Sequence, residues 1–257
     1  MTGPDDPPGP IVRTLAQKVA WDNGYRLERG PEPGGWLRYG STTAIGDIWI
    51  AGAPRGPWLL SVDHPGVAAE LGTELAAPVP GSGAATWAFE KMTELHERLD
   101  RVYRLAVSLP DAPLTRFQAE TRNLPRTTEA ERLVVQRVGQ DVFRGALLDY
   151  WGGRCAVTGL AVPELLRASH IKPWAECATD AERLDVFNGL LLAPNLDAAF
   201  DRGFLTVEND GTVTLSPQLP ADAAAALGFD GPLRVEGLGP RHRAYLAWHR
   251  TEWFRKG

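Results

Sequence analysis

The stretch from Cys155 to Phe204 restricts the fold more than any other part of the chain, because its polar residues fall at the ends of short apolar runs. His170 closes a run containing Leu165, Leu166 and Ala168, and Asn188 opens a second from Leu190 to Leu192. Runs of this length read as two buried strands. Asp197 and Asp201 follow at i and i+4, so a helix after the second strand projects both carboxylates from one face. The segment predicts strand, strand, helix, with a histidine, an asparagine and two aspartates converging on one region.

Hydrolysis of a phosphodiester with one metal needs a base for water, a hard cation for the phosphate and leaving oxygen, and a scaffold that fixes both. His170 suits the base, since imidazole titrates near neutrality. Asp197 and Asp201 offer the oxygen ligands preferred by Mg²⁺ or Mn²⁺, and other transition metals also fit. Asn188 donates and accepts at once, which suits a brace tying the loop after His170 to the second strand. Lys172 and Arg202 lie close enough in sequence to meet a scissile phosphate, or else are solvated surface charges.

In order and spacing the segment resembles the HNH nuclease family. Ser169-His170 falls on the family's (Asp/His)-His pair, Asn188 on its central Asn, and Asp197, nine residues later, on the helix position usually held by His or Asn. Asp201 falls where some members carry a further ligand. The surrounding RCAVTG, ASHIKPW, NGLLL and LDAAFDRG are similar to one bacterial subgroup. The resemblance covers roughly residues 127 to 207. It implies a ββα-metal fold and metal-dependent DNA cleavage, with His170 and Asn188 as the catalytic pair and Asp197, Asp201 and Ser169 at the metal. Ser169 stands where many members have an acid, which leaves the metal more dependent on the two aspartates. Cys155 lacks a CxxC partner, so no structural zinc is expected.

The rest of the chain suggests an α+β protein, with a small mixed α/β N-terminal domain before the nuclease domain. Residues 1–10, with four prolines, read as a disordered lead. Residues 11–108 read as a recognition or sensor domain, 109–126 as a proline-interrupted linker, and 127–257 as the nuclease domain. In the first domain, Ile11, Val12, Leu15 and Val19 predict a helix, and Trp36–Gly40, Asp47–Ala51 and Trp58–Val62 predict three strands. A short helix from Pro65 and a long one from Trp87 to Val107 follow. Thr128 and Glu131 form a capping box for a helix ending at Gly152-Gly153. A hairpin over residues 204–215 and an aromatic helix over 245–254 complete the reading. Asp63-His64-Pro65 imitates the catalytic pair, but nothing suitably spaced follows it, and it reads as a turn and helix start.

A net charge of −5 argues against a protein that coats nucleic acid indiscriminately. The N-terminus is acidic and proline-rich, unlike a signal peptide, and no run of about 18 apolar residues could span a bilayer. A cytoplasmic location, without membrane contact, is expected. The two cysteines read as ordinary thiols. Trp21, Tyr25, Trp36, Tyr39, Trp49, Trp58 and Trp87 could stack on an extruded base or form a core, and Arg26, Arg29, Arg38 and Arg55 could meet phosphates. Three uses fit: a modification-dependent restriction enzyme acting on double-stranded DNA, a nuclease effector or toxin governed by a sensing domain, and a non-catalytic DNA-binding module. Cutting both strands with one site per chain points to a homodimer, stable or formed on DNA.

Overall fold

The computed structural model describes residues 4–72, 83–125, 127–229 and 231–256. The chain divides into two compact units, Met1–Ala112 and Pro113–Gly257. The first begins with α1 (Pro10–Asp22), whose proline occupies the first turn, where its missing N–H is not needed. Val12, Ala16, Val19 and Ala20 form the buried face, whereas Ile11 is 61% exposed. Residues 1–3 lie outside the described residues, but 4–9 are not the disordered lead expected. Asp5 N–H donates to Gly52 O at 2.9 Å, the Asp6 carboxylate accepts from Gly34 N–H at 3.0 Å, and Pro8 is buried. Prolines already restrict this backbone, so a few hydrogen bonds suffice to order it.

Five strands then form one antiparallel sheet in sequence order: β1 (Leu27–Glu32), β2 (Trp36–Gly40), β3 (Ile48–Gly52), β4 (Trp58–Val62) and β5 (Ala85–Phe89). Leu37, Ile50, Leu60 and Trp87 stand in register across β2 to β5 and make one buried row. Trp36, Trp49, Ala51 and Leu59 cluster on the opposite face. α2 (Pro65–Leu71) and α3 (Met92–Ser108) pack with this sheet. Trp87 therefore belongs to a strand, a correction to the predicted helix start; α3 begins only at Met92, where the 3.6-residue apolar period begins. His64 caps α2, its Nδ1 accepting from the N–H groups of Gly66 and Val67.

The expected linker is also corrected, since α4 (Asp111–Thr121) occupies most of it. Pro110 precedes this helix and Pro113 lies in its first turn, where proline breaks no hydrogen bond. Pro113, Phe117 and Thr121 are buried. α5 (Glu129–Tyr150) starts at the Thr128–Glu131 capping box and buries Val135, Gly139, Val142, Phe143, Ala146, Leu147 and Tyr150. Leu133 and Val134, near its start, are exposed.

β6 (Arg167–His170) pairs antiparallel with β7 (Gly189–Leu192), and the connection between them contains the one-turn α6 (Asp180–Arg183). α7 (Pro194–Asp201) follows β7 and packs on β6, completing a ββα unit, while α5 packs on both strands. β8 (Leu205–Val207) and β9 (Val213–Leu215) form the expected hairpin. After α8 (Ala221–Ala226), the final α9 starts at His242 and runs to Trp248 before a π-helical turn, His249–Trp253. The molecule is thus mixed α/β with antiparallel sheets, and its ββα unit lies in the C-terminal part.

Candidate functional site

Four-residue strands position the site because α5 and α7 clamp them. Gly189, opposite His170, shows how closely α5 approaches: a Cβ there would lie 2.6 Å from Phe143 Cζ and 2.8 Å from Leu147 Cδ1. Cys155 secures the other end. Its sulfur accepts from Thr158 N–H at 3.4 Å and from Ala193 N–H at 3.3 Å, tying the turn after α5 to the start of α7.

The His170 ring stacks on Phe143 at a centroid distance of 3.8 Å and meets Trp174 edge-on at 5.7 Å. Its Nε2 lies 2.9 Å from the Arg183 carbonyl oxygen. A carbonyl can only accept, so Nε2 carries the proton and Nδ1 keeps its lone pair. Burial lowers the His170 pKa to about 4, against a smaller opposing effect of the Arg183 carbonyl, so the ring is neutral at neutral pH.

Asn188 is fully buried at the start of β7. Its Oδ1 accepts from Lys172 N–H at 2.8 Å, and its Nδ2 faces Lys172 O at 3.2 Å, Glu182 O at 3.2 Å and Cys177 Sγ at 3.3 Å. One amide thus joins the residue two after His170 to the returning loop. Lys172 points its ammonium into that loop, 2.7 Å from Glu182 and 5.9 Å from the Trp248 ring centroid.

Ser169 and His170 alternate along β6, and Ser169 turns toward α7. Its buried Oγ lacks a hydrogen bond of ordinary length, yet lies near enough to Asp197 to stabilise the carboxylate. Burial raises the pKa of Asp197, and raises that of Asp201 with a further contribution from Asp197 itself. Two mutually repelling, partly desolvated carboxylates beside an unsatisfied hydroxyl are a donor set suited to a hard divalent cation. Among the described residues no group of three or more His, Cys, Asp and Glu side chains is arranged to hold a metal. Arg167 and Arg202 are exposed and act electrostatically on Asp197 and Asp201. The α7 carbonyls beside them are capped from the C-terminal segment, where Trp253 Nε1 donates to Asp201 O at 2.8 Å and Arg255 Nε to Arg202 O at 2.7 Å.

Residues 155–208 match the HNH endonuclease family. A match to that family supports a metal-dependent nuclease in general, acting on a nucleic acid. A search of curated proteins gave no match. Sequence reading placed His170, Asn188, Ser169, Asp197 and Asp201 at the HNH domain's ββα unit, but missed Phe143, Trp174, Cys177, Glu182, Arg183 and Arg167. One signal was available for the loop: Thr179 and Glu182 repeat the spacing of Thr128 and Glu131, and Thr179 Oγ1 indeed accepts from Glu182 N–H.

Among the described residues, no helix is long and apolar enough to cross a membrane.

Proposed function

We propose that the HNH domain cuts double-stranded DNA, and that the first unit restricts cutting to DNA carrying an altered base or backbone, as in a restriction enzyme of bacterial defence. The end of β6 carries the nuclease reading: consecutive residues present a hydroxyl beside the half-buried Asp197 carboxylate, one helical turn from the more exposed Asp201, and a neutral imidazole with one nitrogen unspent. His170 Nδ1 takes the proton of the attacking water while the Arg183 carbonyl holds Nε2–H. Asn188 positions that base by locking Lys172 and Glu182. Asp197, with Asp201 and Ser169, holds a divalent cation, Mg²⁺ or Mn²⁺. Such an ion would bind the phosphate and offset charge on the leaving oxygen. Arg202 and Arg167 meet the phosphate from the exposed side of the acids. Lys172, engaged by Glu182, serves the loop instead.

The reader role of the first unit is supported by its separate sheet and by its position outside the matched segment. Six of its seven named aromatics, Tyr25, Trp36, Tyr39, Trp49, Trp58 and Trp87, take the second of the two uses read from the sequence and are core. Trp21 is 44% exposed and borders an open hollow with Asp22, Arg26 and His96, so it is the aromatic suited to contact DNA.

The test offers the purified protein unmodified, methylated, hydroxymethylated, glucosylated and phosphorothioated duplexes with Mg²⁺ or Mn²⁺. Cutting confined to a modified duplex is expected, whereas equal cutting of all removes the reader and leaves the nuclease. His170→Ala should lower the cleavage rate by about 10²–10⁴-fold while sparing DNA binding, and Asp197→Ala should weaken metal affinity. A His170→Ala protein that cuts at the wild-type rate sinks the site assignment.

A further inference from the structure

The connection between β6 and β7 returns past His170 at Arg183, which engages the site with both backbone and side chain. Its carbonyl receives His170 Nε2–H at 2.9 Å. Its guanidinium donates from Nε to Trp174 O at 3.3 Å, from Nη2 to Cys177 O at 2.6 Å, and from Nη1 to Asp180 Oδ1 at 3.0 Å. It also lies 5.7 Å from the centroid of Trp174, the ring that meets His170 edge-on. One side chain therefore closes residues 174–183 into a loop whose last acceptor is its own carbonyl. The preceding carbonyl, of Glu182, faces Asn188 Nδ2 at 3.2 Å, so two successive carbonyls are held toward the strands. α6 has four residues and cannot hold this geometry by helical cooperativity alone.

We infer that Arg183 is a positioning residue whose guanidinium fixes the loop so that its carbonyl selects the Nε2–H tautomer of His170 and leaves Nδ1 as the proton acceptor. This rests on the reading of His170 as the base. Three bonds that diverge from one planar fork need arginine, because a lysine ammonium is a single point donor.

The test is ¹⁵N NMR of the His170 ring in the full chain, with cleavage kinetics alongside. The wild type should show one neutral tautomer, with the proton on Nε2. Arg183→Ala should show both tautomers and a kcat lower by about 10- to 100-fold, with KM for DNA little changed. Should that variant fail to fold, Arg183→Lys carries the test and should also give mixed tautomers. A single Nε2–H tautomer at the wild-type rate in either folded variant overturns the role of the side chain. Full activity of His170→Ala instead overturns the base assignment, so the two failures are distinguishable.

Discussion

Asn188 joins more polar groups than any single substitute could satisfy. Its oxygen faces an N–H and its nitrogen faces two carbonyls and a thiol, so its amide orientation is dictated by partners of fixed polarity. Asn188→Ala leaves Lys172 N–H and Glu182 O without their partner and should destabilise the protein by about 2–4 kcal/mol, read from urea unfolding. Asn188→Asp should be at least as damaging, because a buried carboxylate accepts from Lys172 but cannot donate to either carbonyl. An aspartate variant as stable as the wild type would remove the brace. The identity and spacing of this residue were legible from the apolar run it opens, but its partners were not. They come from a loop whose path depends on Arg183 and Cys177, and neither residue carries a local signal of where the chain will turn back.

At the scale of elements, the closest fit is that of α5 on β7. Gly189 has ordinary extended backbone, so an alanine there is excluded by Phe143 and Leu147 and not by strain. Gly189→Ala should cost about 1–3 kcal/mol through overpacking, measured by thermal melting. It should also slow cleavage, because the displaced Phe143 is the ring on which His170 stacks. A variant that melts and cuts like the wild type would mean that α5 does not support the base. α1 and α5 could be read from their helical period because one face of each is buried, and β6 and β7 from the short apolar runs they contain. β1 was missed because its six residues are mostly exposed and interrupted by glycine and proline, with pairing to β2 as their main constraint. α4 was missed because proline looks like an interruption until its place in the first turn is known.

Across the C-terminal unit, three histidines are held neutral. Burial lowers His170, His242 and His249 to about 4, against smaller opposing effects of the Arg183, Gly239 and Phe200 carbonyls respectively. An unfolded histidine titrates near 6.5, so between that value and about 4 the unfolded chain binds more protons than the native one. Their contribution is present in full above pH 6.5 and is lost as pH falls toward 4. The raised carboxyls of Asp185, Asp197 and Asp201 act in the opposite sense at the lower end of the window. The melting temperature should fall by roughly 5–10 °C between pH 7 and pH 5. A flat profile over that range would show that the buried rings do not govern acid stability.

The confinement of His170 also gives the site a handedness. One ring face is covered by Phe143, one edge by Trp174, and one nitrogen is committed to Arg183. Of the two ring nitrogens, only Nδ1 lies outside these three contacts, so a group that reaches the imidazole without displacing the Arg183 carbonyl meets it on that side. On the duplex proposed as substrate, whose strands run antiparallel, a chain with one such site would address one strand at a time.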